Sequence, residues 1–418
     1  MPRCTFHSRQ LPANSTPAIL PGRGVLQALY IGPSPVTPSK DRPRLGVFAF
    51  HPIQYQVPLY RRLGERDRVN LDVLFVSDAG LEPTMDPGFG QVISWNIDLL
   101  SGYQHSFLQA SAQPRSIIRK LRSLVTWVRR QDVAVVHGYA SAWMLSAIVI
   151  CILTRRPYLL RGDSKPEGQR GHRVRGLLRD RLARLVVGHS AGALTIGDLN
   201  SQFYRRFGQH KLYWAPYSVD DRRFAAPQPI TRGELLRSYY LPLDQPLIVF
   251  VGKFQTIKRP LDLAEAHKRM ERSASVLYVG DGELREALEA ATAGTNARIT
   301  GFVNQREMPA FYQAADIIVL PSEVEQWGLV INEAMAAGVV PVVSANVGAA
   351  SDLVDGVGRI VPVGDVTALA RALDDVLGRA GDVEQVALIH ERARQYSLDV
   401  TATGYETATL AVVTRRQR

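Results

Sequence analysis

Two glutamates, Glu325 and Glu333, stand eight positions apart in PSEVEQWGLVINEAMAAGVVP (321–341), with Trp327 and Gly328 between them. The apolar run that ends at Pro321 has the residue types of a buried parallel strand, and Val339–Ser344 after Gly338 reads as the next. A strand–turn–helix–strand unit is therefore expected, which aims a helix N-terminus beyond the carboxyl ends of a sheet. A helix beginning near Gly328 leaves Glu325 in the turn and places Glu333 more than one turn in. Five residues at 1.5 Å each separate its start from Glu333, roughly 7–8 Å along the axis. The backbone N–H groups of Trp327, Gly328 and Leu329 would then be free to donate to an anion, while the carboxylates accept from hydroxyls. Hydroxyls at both ends and phosphate in the middle describe a nucleotide-sugar. The plainer alternative is a solvated loop glutamate and a charge on a helix surface.

Further cations and turns fall where such a ligand would need them. Leu247–Gly252 reads as a buried strand, with Lys253 directly after it and Lys258 five residues on. Both suit phosphate as point charges, although surface lysines after a strand would look the same. A second strand ends in Gly280-Asp281-Gly282, where glycine permits a tight turn and close approach of backbone. Gly301-Phe302 ends a third, and Phe302 is either a ligand contact or ordinary core.

The pattern PSxxE-x-x-G-L-x-x-x-E-A-M-A-x-G-x-P-V-V resembles the signature of the retaining glycosyltransferases of family 4 (glycosyltransferase group 1). That resemblance implies an α/β chain of the GT-B fold, with two Rossmann-like parallel-sheet domains facing each other across a cleft. It implies that Glu325 contacts the donor sugar and Glu333 the nucleotide ribose, with Lys253 and Lys258 on the diphosphate. Lys253 stands where family members usually carry arginine. Gly280, Gly301 and Phe302 correspond to donor-binding turns, the last two near the base. Gly348-Ala-Ala-Ser-Asp352 occupies the place of a Gly-Gly-x-x-Glu loop, with aspartate for glutamate. The implied reaction moves a hexose or related sugar from a nucleoside diphosphate to an acceptor hydroxyl with retention. It proceeds by front-face displacement, without cofactor or metal, and the lysines neutralise the leaving group. A sugar-nucleotide epimerase or a non-catalytic sugar-nucleotide binder would retain the same pocket.

Order is expected to begin at the strand Arg44–Phe50, which leads into His51-Pro-Ile-Gln-Tyr. This loop, with Asp86-Pro-Gly-Phe-Gly90 and Trp95, resembles a bacterial HPxQY subgroup active in surface polysaccharide and related pathways. His51 and His137, each at a strand end, are candidates for the acceptor site or for buried structural histidines. Many relatives place a histidine that meets the donor sugar where Asp163 stands. Asp163 either bonds a sugar hydroxyl or pairs with Arg161. The apolar run Trp143–Leu153 is too short to span a bilayer and reads as a crossover helix.

At 418 residues the chain has room for two domains with sizeable cores. The expected organisation is an extension at 1–43, an acceptor domain at 44–220 and a hinge at 221–245. A nucleotide-sugar domain at 246–390 and a segment at 391–418 crossing back to the first domain complete it. Residues 1–43 have prolines interrupting any signal-peptide core, and read as disordered or as an early start. Two cysteines, Cys4 and Cys151, give no disulfide framework and suggest a reducing, cytoplasmic compartment. Charge is concentrated: Arg115–Arg184 carries 16 Lys+Arg against 4 Asp+Glu, while the whole chain is only +11. Within it, Ile117, Ile118, Leu121, Leu124, Val125 and Val128 share one helical face and Arg115, Arg119, Lys120, Arg122 and Arg129 the other. This is a solvated basic face on a packed helix, or a patch for an anionic membrane surface or a lipid-diphosphate acceptor. Little aromatic interleaving argues against nucleic acid.

Overall fold

The computed structural model describes residues 42–110, 116–165, 173–379 and 383–417. The extension at 1–43, Arg42 and Pro43 apart, lies outside these residues, as do Cys4 and Arg115.

Two parallel sheets organise the chain. The first contains β1 (Arg44–Ala49), β2 (Asn70–Ser77), β5 (His105–Gln109), β6 (Val133–His137), β7 (Tyr158–Arg161), β8 (Gly192–Thr195) and β9 (Leu212–Trp214). Between β2 and β5 lies a separate antiparallel ribbon, β3 (Thr84–Asp86) with β4 (Gln91–Ile93). The second sheet contains β10 (Leu247–Val251), β11 (Ser275–Val279), β12 (Ala297–Gly301), β13 (Ile317–Leu320), β14 (Val340–Ser344) and β15 (Arg359–Val361). Their orders are β5-β2-β1-β6-β7-β8-β9 and β12-β11-β10-β13-β14-β15. Counted within each sheet, both begin 3-2-1-4-5-6, the Rossmann order, in which ligands sit outside the carboxyl ends where the winding reverses. The GT-B expectation is met.

The strands are apolar on both faces because helices cover both. LIVFV of β10 is fully buried, with Val249 opposite Leu277 and Ile318. Each such side chain contributes roughly 1.5–3 kcal/mol by leaving water. In the first sheet, Phe48, Val136 and Leu160 face the helices Ile117–Arg130, Ala142–Leu153 and Arg173–Gly188. Val47, Val135 and Leu159 face the helix Val57–Arg66 and the last helix, Leu398–Gln417. That last helix follows the second sheet in sequence yet packs on the first. Arg66 clasps the buried carboxylate of its Glu406 at 2.9 and 3.0 Å.

Packing on the first sheet departs from the helical stripe read in the sequence. In the helix Ile117–Arg130 only Leu124, Trp127 and Val128 are buried, while Ile117 and Ile118 are 66% and 60% exposed. Burial is confined to the second half of the helix. Among the described residues no helix is long and apolar enough to cross a membrane.

Candidate active site

The carboxyl ends of the two sheets meet around a cavity of about 370 Å³. From the first domain come Tyr55, Phe89, Asp163 and Tyr217. From the second come Gly252 and Lys253 after β10, Lys258, and the run Glu325–Val330 after β13. The helix Leu329–Ala336 begins there, capped by Gly328 at φ +98°, a left-handed conformation that a Cβ would strain. Its first N–H groups have no partners within the helix. A second close approach is at Gly280, φ +147°, where a Cβ would lie 1.9 Å from the Gly252 carbonyl oxygen. Its N–H donates to the Gly301 carbonyl at 3.0 Å, tying together the ends of β11 and β12.

Both lysines that line the cavity are paired within the protein. Lys258 Nζ donates to Glu325 Oε2, and Lys253 Nζ to both oxygens of Asp86 at 2.7 and 2.9 Å. Lys165, a residue the sequence reading passed over, reaches across the cleft from the first domain to the Glu325 carbonyl at 2.8 Å. Burial lowers the pKa of this ammonium, partly offset by Glu325 and Asp163. Lys253, Lys258 and Glu325, expected around a diphosphate and a sugar, are therefore together, each held by a partner within the protein.

Glu333 lies on the same helix, one turn beyond Val330, and is not itself among the residues that line the cavity. Tyr312 Oη donates to its Oε2 at 2.6 Å. Burial pushes its pKa up to about 7, against the pull of Tyr312 and Arg223. Arg223, from the short helix Asp221–Ala225 between the domains, donates to the Gln305 carbonyl and is itself lowered by burial. Glu333 is thus a carboxyl poised near neutrality, held by a phenol and beside a guanidinium.

Other candidates fall in several places. Asp163 lines the cavity and is exposed. Arg161 does not pair with it; buried, it donates to the carbonyls of Ala215 and Pro216 and lies over the rings of Tyr217 and Tyr405. Trp327 is buried, its indole N–H donating to Asn332 Oδ1 at 2.9 Å. Phe302 is not enclosed core: it meets Phe89 and Trp95 of the first domain edge-on at 5.1 and 6.2 Å. His51 contacts the Pro52 carbonyl and His137 the Tyr405 hydroxyl at 3.1 Å each, and neither is among the lining residues. Burial, and then Arg161, lowers the His137 pKa to about 3, so it is neutral. The Asp352 carboxylate accepts from the N–H of Asp198 at 3.0 Å, spending itself on the opposite domain. Among the described residues no three His, Cys, Asp or Glu side chains cluster as a metal site.

Residues 245–379 match the family model described as "Glycosyl transferases group 1". The chain is 32% identical over 213 residues to the 2-deoxystreptamine N-acetyl-D-glucosaminyltransferase of Streptomyces fradiae, covering 47% of this chain and 49% of the relative. It is 28% identical over 271 residues to a GDP-mannose-dependent alpha-(1-6)-phosphatidylinositol monomannoside mannosyltransferase of Mycobacterium tuberculosis, covering 60% and 70%. It spans only 21% to 49% of the length of the first three curated relatives it matches. In fold it resembles Alr3699/HepE of Anabaena, solved with UDP and glucose, at TM-score 0.61 and 14% identity over 90% of this chain and 98% of that one.

Proposed function

We propose that this chain is a retaining glycosyltransferase of family 4 that moves a sugar from a nucleoside-diphosphate sugar to an acceptor hydroxyl. One observation carries the reading: Lys253, Lys258, Glu325 and a helix N-terminus converge on one cavity, facing Asp163 of the other domain. The family match over residues 245–379 and the relatives' names support the same class.

Breaking a glycosidic bond to diphosphate builds negative charge on the leaving oxygens and positive character on the sugar. Lys253, Lys258 and the helix N–H groups are fixed where the first appears, at little cost of reorganisation during the reaction. Glu325 lies beside Lys258, where it can stabilise the second. In the front-face route the departing phosphate takes the acceptor's proton, so no side chain has to act as nucleophile. Glu333 accepts from the ribose hydroxyls. Lys253, Lys258 and the helix N–H groups supply the positive charge that a metal would otherwise bring.

The acceptor belongs to polysaccharide, glycolipid or other glycoconjugate synthesis, and a lipid-borne one is favoured by the first domain's surface. Ile117 and Ile118 are exposed beside Arg119, Lys120 and Arg122, and Leu177 and Leu178, at 64% and 61%, beside Arg179 and Arg181 on another helix of the same face of the sheet. Both helices follow strands β5 and β7, so their first turns lie at the cleft end of the sheet. Apolar tips set in basic charge suit the inner face of an anionic membrane. The mycobacterial relative acts, by its name, on a phosphatidylinositol mannoside.

The test is a thermal-shift screen of UDP-, GDP-, ADP- and dTDP-sugars, followed by mass spectrometry of products with an acceptor panel. Glycosylated acceptor is the expected product. Isomerised donor, or binding with no transfer, would replace this reading with an epimerase or a sugar-nucleotide binder.

A further inference from the structure

We propose that the ribbon Thr84–Ile93 is a donor-displaced strap, whose Asp86 occupies on Lys253 the position a donor diphosphate must take. The inference rests on the donor reading above and adds a competitor to it.

The ribbon stands apart from the seven-stranded sheet of its own domain. Its two three-residue strands pair only with each other, and Met85 and Val92 are 58% and 59% exposed. An isolated two-stranded ribbon is marginal in water. Contacts to the opposite domain hold this one. Asp86 is bidentate on Lys253, and Lys253 Nζ also lies 5.0 Å from the centre of the Phe89 ring. Phe89 meets Phe302 edge-on, and just beyond β4 Asn304 Nδ2 donates to the Ser94 carbonyl at 2.6 Å. The fit is close: a Cβ on Gly88 would come within 2.6 Å of the Lys253 side chain.

Asp86 is built as an anion. Its Oδ1 also accepts from the N–H of Gly88 at 2.8 Å and of Phe89 at 3.3 Å. Lys253 and these donors more than reverse the effect of burial and hold the carboxyl below its ordinary range. A carboxylate and a phosphate oxygen make the same demand on an ammonium, so both cannot hold Lys253 fully. The dianionic ligand wins only by releasing the ribbon, which carries Phe89 away from Phe302 and opens the place expected for the base.

Calorimetry with UDP, GDP, ADP and dTDP on the wild type and Asp86→Asn tests this, alongside hydrogen–deuterium exchange of the peptides covering 84–96. Asn keeps the shape but not the charge, so the nucleoside diphosphate should bind roughly tenfold more tightly to the variant, the scale of one charge-assisted contact. Exchange in 84–96 should rise when the wild type binds nucleotide, and be raised in the variant without it. Equal or weaker binding by Asp86→Asn, or a ribbon that grows more protected on binding, would overturn the strap and leave the donor site standing. Binding of no nucleoside diphosphate by either protein would remove the donor reading and the strap with it.

Discussion

Replacing Glu333 with glutamine should stabilise the fold while weakening donor binding, and the size of the first effect should depend on pH. Burial pushes this carboxyl from 4.5 up to about 7, with Tyr312 and Arg223 opposing. At about 1.36 kcal/mol for each pH unit between those values, the ionised side chain costs the folded state up to about 3 kcal/mol. The sign follows from the proton. Between about pH 4.5 and 7 the folded protein holds a proton that the unfolded chain has released, so stability falls as pH rises, and the full cost is present above pH 7. Glutamine carries no such cost and still accepts from the Tyr312 hydroxyl. The difference in Tm between Glu333→Gln and wild type should be near zero at pH 4.5 and grow to pH 8. Its ceiling is roughly 6–12 °C, taking about 2–4 °C per kcal/mol for a domain of this size. Asp72 and Asp352, also raised by burial, are common to both proteins and cancel in the difference. Donor KM should fall in wild type as pH rises through about 7, because the carboxylate is the better acceptor for ribose hydroxyls, and should lose that limb in the variant. Scanning fluorimetry from pH 4.5 to 8 and donor kinetics read both effects. A Tm difference that stays constant across this range, with the same KM profile in both proteins, would refute a raised carboxyl at the ribose.

Three other outcomes follow from the same geometry. Lys253→Ala and Lys258→Ala should each weaken donor and free nucleoside diphosphate together, roughly tenfold or more, and unchanged calorimetric binding in both would defeat the diphosphate assignment. Glu325→Gln should lower kcat by roughly a hundredfold, as for loss of one preorganised electrostatic group. Nucleoside diphosphate should bind as well or better in that variant, since Lys258 loses a competing carboxylate; weakening as large as in Lys258→Ala would contradict it. The protein should co-sediment with anionic but not zwitterionic vesicles at low salt, and Arg119→Glu with Arg122→Glu should abolish this without lowering Tm. Equal binding to neutral vesicles would leave a solvated face only.

Strands, turn and helix around Glu325 and Glu333 were legible because each is a local matter. Continuous apolar runs mark strands buried on both faces, and Gly328 marks the left-handed start of the helix. The α/β class and the doubled parallel sheet followed from that periodicity, together with the resemblance. Partners were not legible. Asp86 and Lys253 are 167 positions apart and Lys165 and Glu325 160, and nothing in either stretch requires their meeting. Asp86-Pro-Gly-Phe stood out as a motif, yet its place over the second domain depends on how the two sheets face each other. Arg161 was a possible partner for Asp163 by proximity in sequence, and the fold turned it inward to the carbonyls of Ala215 and Pro216 instead. Ile117, Ile118 and Leu121 fall on the stripe that the spacing marks, yet they are exposed, because which part of a stripe is covered depends on what packs against it. Sequence by itself determined which groups could carry charge and which segments had to be buried, since both are properties of side chains and short spacings. Tertiary structure decided which charges neutralise one another and which carboxyl is raised, since desolvation and Coulomb pairing depend on surroundings that several distant segments supply together.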